Sequence, residues 1–361
     1  MTSATAPSAG PFEVTVQPSG RRFSVDAGEH ILAAAIRQGI GLPYGCKDGA
    51  CGSCKCRKLE GQVQHGPHQS KALNAEEEAA GFVLTCSATA LSDVVIESRQ
   101  VTDESAFPIK KMPSRVQSLE KVSHDVMVLR LQLPANDTMR YHAGQYVEFI
   151  LRDGARRSYS MANAPHTLMR SEGGAPPVPV IELHIRHMPG GKFTDHVFTS
   201  MKEKEILRIE GPYGSFFLRE DSDKPLILLA SGTGFAPIKA LIEHMQSKGI
   251  QRPATLYWGG RRPGDLYMDA WVREQCAAMP QLRYVPVVSN ALPEDNWTGR
   301  TGFVHKAVLE DFPDLSGHQV YACGAPIVVD SARAEYSAAA GLPPEEFFAD
   351  SFTSEADKHV G

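Results

Sequence analysis

Residues 42–54 read Leu42-Pro43-Tyr44-Gly45-Cys46-Lys47-Asp48-Gly49-Ala50-Cys51-Gly52-Ser53-Cys54, and Cys86 follows much later. The pattern is C-x4-C-x2-C…C, the spacing of a two-iron, two-sulfide centre. Its logic is reach: a tight loop wraps three thiolates around the metal, and a distant strand supplies the fourth. Gly45, Gly49 and Gly52 have no Cβ to block the approach of backbone amides to the sulfides, and such amides tune the potential. A zinc site and chance clustering are the competing readings. Zinc usually takes two paired C-x2-C units, and only one is present. Cys46, Cys51, Cys54 and Cys86 are the expected metal ligands, and Cys56 reads as a bystander able to substitute for a lost ligand.

The seven cysteines are an odd number, and Met1–Gly10 has neither a basic start nor an apolar core, so neither a disulfide framework nor a secretory signal is expected. The 361 residues suggest two to three domains, and 42% hydrophobic with 22% charged residues excludes a largely disordered chain. Lys+Arg 37 against Asp+Glu 42 gives a net charge of −5, which argues against a nucleic-acid partner. The apolar runs Ile31–Ile40 and Leu226–Ala230 fall far short of the ~20 residues of a membrane span. A soluble, cytoplasmic protein is the expectation.

Outward from the cysteine loop, residues 12–25 read as a hairpin turned by Pro18-Ser19-Gly20, His30–Gln38 as a helix, and Val94–Ile96 as a strand. These make a first domain over 1–102, and 103–113 read as a linker. Over 114–222 short strand candidates (Val126–Leu133, Tyr146–Leu151, Val180–Ile185, Ile206–Ile209) predict a small antiparallel barrel, with an exposed loop at Ser171–Pro179. Over 223–361 strands alternate with helices, beginning with Leu226–Ala230 and Ala236–Lys248, which predicts a parallel sheet of nucleotide-binding type.

Leu42–Cys54 resembles a plant-type ferredoxin. The rest of the chain resembles the ferredoxin–NAD(P) reductase superfamily, with an FAD domain ahead of a nicotinamide domain. The whole resembles the iron–sulfur flavoprotein reductases, among them the CDP-6-deoxy-glucoseen reductases and the reductase components of bacterial oxygenases. The fold this implies is multidomain: a β-grasp-like ferredoxin domain, an antiparallel FAD-binding barrel and a C-terminal α/β domain with a parallel sheet.

Arg157-Ser158-Tyr159-Ser160 is similar to the family's R-x-Y-S motif. The resemblance implies that Arg157 pairs with the FAD pyrophosphate, Tyr159 packs on the flavin and Ser160 hydrogen-bonds near flavin N5; alone, the motif also fits a barrel strand with a surface arginine. Gly190-Gly191-Lys192-Phe193-Thr194 resembles the Gly-rich turn whose helix amides take the other phosphate, Thr194 adding a hydroxyl donor. A capped hairpin loop is the bland alternative. Gly232-Thr233-Gly234, with Pro237 where a dinucleotide fingerprint has its third glycine, follows the Leu226 strand and resembles the superfamily's nicotinamide-nucleotide loop. Cys323-Gly324-Ala325-Pro326 matches the family's C-G-x-P beside the nicotinamide, so Cys323 is expected to shape the hydride-transfer site; a buried strand-end cysteine is the competing reading. Phe352 is the candidate aromatic over the flavin face, with core packing as the alternative.

Arg261 or Arg262 could hold a 2′-phosphate, whereas Asn290 stands where NADPH-specific relatives usually carry arginine after the serine matched by Ser289. NADH is expected over NADPH. The implied function is electron transfer: hydride from NADH to FAD, single electrons to the 2Fe-2S cluster, then to a partner, either a deoxysugar dehydrase or a terminal oxygenase. Ser160, Cys323 and Phe352 are the residues expected at the chemistry. The second hypothesis is a redox-responsive binding module whose cluster regulates association instead of delivering electrons.

Overall fold

Val14 and Val16 on one strand and Phe23 and Val25 on the next are buried while their neighbours face outward, the period-two pattern that makes a half-buried hairpin. In the computed structural model, which describes residues 10–101, 107–137, 139–171 and 176–353, that hairpin is β1 (Phe12–Gln17) and β2 (Arg21–Val25). Helix α1 (Ile31–Arg37) buries Ile31, Leu32, Ala34 and Ala35. There follow β3 (Lys55–Glu60), β4 (Val63–His65), α2 (Ala75–Ala79), β5 (Phe82–Leu84), β6 (Ala88–Ala90) and β7 (Val94–Glu97). The main sheet has the order β2-β1-β7-β3-β5, with β7 parallel to β1, and β4 pairs with β6. This is the β-grasp-like arrangement expected. Asn74 and Glu77 form a reciprocal cap at α2, which buries no residue, so Glu76–Glu78 is a solvated helix face.

The chain separates into two compact units, one ending at Phe107 and the other spanning Pro108–Phe352. The second opens with β8 (Lys110–Lys121), so Lys110–Pro113, expected in the linker, are strand residues; they pair with Arg208–Gly211. Their alternation is hidden in the sequence because Met112 is the one buried apolar residue among them. Then come β9 (Val126–Gln132), β10 (Tyr146–Ile150), β11 (Arg156–Ser160), β12 (Met169–Arg170), β13 (Val178–Arg186), α3 (Lys192–Thr199) and β14 (Ile206–Tyr213). The antiparallel order is β11-β10-β14-β8-β9-β13-β12, and a bridge between Met161 and Leu183 joins the end of β11 to β13. The sheet thereby closes into the predicted barrel around Leu129, Leu131, Val147, Phe149 and Ile181.

The last part of the chain alternates β15 (Leu226–Ser231), α4 (Phe235–Lys248), β16 (Ala254–Gly260), α5 (Asp269–Ala278), β17 (Leu282–Val288), β18 (Arg300–Thr301), α6 (Val304–Asp311), β19 (Gln319–Gly324), α7 (Pro326–Ala340) and β20 (Phe347–Ser351). All six strands are parallel, in the order β18-β17-β16-β15-β19-β20. Leu228 and Ala230 feed one core layer and Ile227 and Leu229 the other, which is why β15 reads as an unbroken apolar run. From β15 the order continues to β16 on one side and jumps to β19 on the other. That switch point opens a crevice at the carboxyl ends of β15 and β19, the place where open α/β sheets bind nucleotides.

Candidate functional site

In the first unit the cysteine loop is folded tightly enough to require its glycines. Gly49 and Gly52 have φ of +75° and +72°, and a Cβ on Gly49 would lie 2.9 Å from the Pro67 carbonyl oxygen. A Cβ on Gly45 would lie 3.4 Å from both Cys51 Sγ and Ser53 Oγ. The four thiols fall into two pairs. Cys46 and Cys51 each donate a backbone N–H to the other's Sγ at 3.3 Å, and the Sγ atoms of Cys54 and Cys86 are 3.2 Å apart. Two irons sharing four thiolates need this two-and-two division. The side-chain nitrogen of Gln69, in the segment covering Gly49, is buried with no hydrogen-bond partner. This donor set fits a 2Fe-2S cluster. Cys56 is buried on β3, which pushes its thiol up to about 12 and leaves it inert.

In the second unit, β11 carries Arg157 and Tyr159 half-buried with Ser158 exposed between them, Tyr159 packs against the barrel core, and the strand ends at buried Ser160. The Tyr159 ring lies 5.4 Å from that of Phe193 on α3, so the two halves of the expected flavin site come together. Gly190 has φ +84° with open space where a Cβ would stand. Helix α3 has no side-chain cap, leaving its first amides for an acceptor outside the helix. The turn's own amides are taken, Gly190 N by Asp195 Oδ2 at 3.0 Å and Gly191 N by the Met188 carbonyl at 2.8 Å, so the first-turn amides of α3 are the donors that fit a diphosphate. The Thr194 hydroxyl donates to the Met188 carbonyl at 2.9 Å, which holds the turn's shape. Lys192 is exposed and pairs with Asp153 at 2.6 Å.

The loops after β15 and β19 interlock through their glycines. A Cβ on Gly234 would lie 2.2 Å from the Cys323 carbonyl oxygen, and one on Gly324 (φ +129°) would lie 2.3 Å from Ser231 Oγ. That Ser231 hydroxyl accepts from Ala325 N at 2.8 Å. Thr233 is buried in the loop, and Pro237 sits in the first turn of α4, where its missing N–H costs nothing. Phe352 N donates to the Gly324 carbonyl at 2.9 Å, and its half-buried ring packs against the core of the parallel-sheet domain.

Ser160 Oγ donates to Asp350 Oδ2 at 2.8 Å, and Asp350 lies opposite Cys323 in the β19·β20 pairing. Ser160, Cys323, Gly324 and Phe352 therefore meet around a residue that the sequence did not single out. Burial and the adjacent Asp350 hold the Cys323 thiol well above its ordinary range, so it is a neutral, non-nucleophilic group. The side-chain oxygen of Ser351 is buried with no hydrogen-bond partner, an open polar position next to this cluster. Arg186 was also missed. Its Nε donates to Asp125 Oδ2 at 2.7 Å, and its Nη1 lies 2.9 Å from where a Cβ on Gly232 would stand. Asp350 lies in the C-terminal segment that carries Phe352, and Arg186 ends the strand before the Gly190 turn, yet neither position marks the contact it makes; each acquires its place only through the fold.

Beyond β16, Arg262 is held by Asp295 through two bonds of 2.6 and 2.7 Å, and Arg261 is exposed. Asp265 Oδ2 accepts from the amides of both arginines, at 2.8 and 3.1 Å. Asn290 N donates to the Arg261 carbonyl at 2.9 Å, so the segments expected to discriminate the nucleotides lie side by side.

A thiolate loop for a 2Fe-2S cluster, a flavin-type barrel and a nicotinamide-type parallel sheet define an NAD(P)H-dependent iron–sulfur flavoprotein oxidoreductase. Residues 14–91 match the 2Fe-2S iron-sulfur cluster binding domain, 113–218 the oxidoreductase FAD-binding domain and 228–334 the oxidoreductase NAD-binding domain. The chain is 41% identical over 341 residues to the CDP-6-deoxy-L-threo-D-glycero-4-hexulose-3-dehydrase reductase of Yersinia pseudotuberculosis, covering 94% of this chain and 98% of that protein. It is 36% identical to reductase component 2 of terephthalate 1,2-dioxygenase from Comamonas, covering 96% and 99%. Among solved structures it is similar to the Amycolatopsis cytochrome P450 reductase GcoB, with TM-score 0.74 and 32% identity over 95% of this chain and 99% of that one. The chain belongs to the iron–sulfur flavoprotein reductases. Among the described residues no helix is long and apolar enough to cross a membrane.

Proposed function

We propose that this chain takes a hydride from NADH and delivers single electrons to a sugar-nucleotide dehydrase in the cytoplasm. The observation that carries the choice of partner is the 41% identity, over nearly the full length of both chains, to a hexulose-3-dehydrase reductase. When bound, FAD supplies hydride acceptance and one-electron release, and a 2Fe-2S cluster supplies a one-electron carrier near about −400 mV. Everything else falls to the protein.

In this reading Cys46, Cys51, Cys54 and Cys86 hold the cluster. Arg157 and the first-turn amides of α3, just after Gly190 and Gly191, take the flavin diphosphate, Tyr159 offers a ring face, Lys192 sits at the rim, and Thr194 keeps the turn in shape. The exposed Ser158 serves through its backbone on β11. Gly232, Thr233, Gly234 and Pro237 form the nucleotide loop, with Arg186 as its fixed cation and Gly324 keeping the facing loop close. Ser160, held by Asp350, supplies the hydroxyl at the flavin edge. Cys323 is a neutral wall of the pocket, and Phe352 yields its place to the nicotinamide. The pairing of Arg262 with Asp295 supports NADH, because the guanidinium suited to a 2′-phosphate is already occupied.

The test mixes the purified holoprotein and NADH with a CDP-6-deoxy-hexulose dehydrase and its sugar nucleotide, or with a terminal oxygenase and its substrate. Turnover with the dehydrase is expected. Turnover with the oxygenase alone would replace the proposed partner, and cluster-dependent binding without turnover in either mixture would favour a regulatory module.

A further inference from the structure

Helix α4 does more than begin at the nucleotide loop. Five residues past Gly234, Lys239 is 4% exposed, and its Nζ donates to the Ala162 carbonyl at 3.1 Å, to Glu243 Oε1 at 2.5 Å and faces Glu182 Oε1 at 3.2 Å. One turn later Glu243 Oε2 accepts from Ala164 N at 2.8 Å and from Thr167 Oγ1 at 3.3 Å. The cation and the anion of one helix thus grip the main chain of residues 162–164, which follows Ser160 without a break.

A second route joins the same two places. Glu182, on β13, accepts from Arg130 Nε at 3.1 Å, Arg170 Nη1 at 3.3 Å and His184 Nε2 at 3.3 Å. Burial keeps His184 neutral, so with Nε2–H donating to Glu182 its Nδ1 accepts from the Tyr267 hydroxyl at 2.9 Å. The Tyr267 ring meets Trp258 edge-on at 5.2 Å, and Trp258 Nε1 donates to the Gly232 carbonyl at 3.0 Å. Apolar contacts between the barrel and the parallel sheet tolerate sliding. A buried set of charges with few alternative pairings does not.

We infer that Lys239 and Glu243 are positioning residues for hydride transfer, fixing the nucleotide loop at Gly232–Gly234 against the strand end that carries Ser160. This rests on the functional reading above. Because misplacement by about 1 Å can cost about 100-fold in rate, a junction that sets the separation of two ring sites should govern the hydride step and leave nucleotide affinity alone.

The experiment compares the FAD-loaded full chain with Lys239→Gln/Glu243→Gln, which removes both charges and keeps two hydrogen-bonding amides. Amide hydrogen exchange over residues 160–168 is measured first. Stopped-flow flavin bleaching by NADH and by 4-deuterated NADH follows. Faster exchange at Ala162 and Ala164 is expected, together with a limiting rate lowered about tenfold or more, a larger isotope effect and an unchanged half-saturating NADH concentration. Unchanged exchange, or faster exchange with an unchanged limiting rate and isotope effect, would overturn the inference. Should the double variant not fold, Glu243→Gln alone keeps an acceptor for Ala164 N; a lowered limiting rate supports the inference and a wild-type rate refutes it. Failure of the functional reading is distinguishable, since the wild-type flavin would then not bleach with NADH at all, and the exchange comparison would still report on the junction.

Discussion

Ser160 and Asp350 are 190 residues apart in the chain and joined by a buried hydrogen bond of 2.8 Å. The serine ends the barrel strand that carries the flavin motif, and the aspartate sits in the last strand of the parallel sheet, opposite Cys323. Ser160→Ala removes the hydroxyl and takes one donor from the buried carboxylate, which costs about 1–3 kcal/mol of stability. The limiting rate of flavin reduction should fall about 10- to 100-fold while NADH affinity holds. Stopped-flow traces with a melting curve check both.

Gly234 approaches the Cys323–Gly324 backbone so closely that no side chain fits; a Cβ would lie 2.2 Å from one backbone atom and 2.6 Å from another. Gly234→Ala should cost about 2–4 kcal/mol and abolish NADH binding by prising the two loops apart. Flavin content should stay full. Nucleotide titration and the flavin absorbance of the purified variant separate these effects.

Arg262 spends its guanidinium on Asp295. Asp295→Asn keeps the shape and removes the charge, freeing Arg262 for a 2′-phosphate. The ratio of kcat/KM for NADPH to that for NADH should rise about tenfold, the worth of one charge-assisted hydrogen bond. An unchanged ratio would place nucleotide choice elsewhere.

His142, stacked on Phe217 at 4.5 Å, is held down to about 4 by burial first, and then by Arg219, His244 and Arg140 against the opposing pull of Glu220. Its folded pKa lies below the ordinary 6.5, so the unfolded chain binds the proton more readily. Stability is therefore full above pH 6.5 and is lost as the pH falls from 6.5 toward 4, by up to about 3 kcal/mol for this group. His142→Phe should flatten that part of the dependence of Tm on pH. A slope identical to that of the wild type would remove His142 from the account.

Much of this was legible because chemistry fixes spacing. Cys46, Cys51 and Cys54 must reach one centre from one loop, and Gly232–Gly234 must turn tightly between a strand and a helix. Such local constraints leave local marks. The contacts of Asp350 and Arg186 left none, since each meets a residue far away in the chain: Ser160 for one, Asp125 for the other. Strand β3 was hidden as well. Four of the six residues of Lys55–Glu60 are charged and only Cys56 is buried, so the strand has no apolar alternation to read. Thr194 shows the opposite limit: its place in a motif was visible, yet the direction of its hydroxyl, toward Met188, is a property of the folded turn.

The most direct test of the route is an anaerobic titration of the holoprotein and of Cys51→Ser with NADH, followed by optical and EPR spectra. The wild type should show flavin bleaching together with a rhombic reduced-cluster signal. The variant should bleach equally, keep its activity toward ferricyanide and lose both the cluster signal and delivery to the protein partner. Partner reduction that persists in Cys51→Ser, or a wild-type flavin that NADH does not bleach, would contradict the route from nucleotide through flavin to iron.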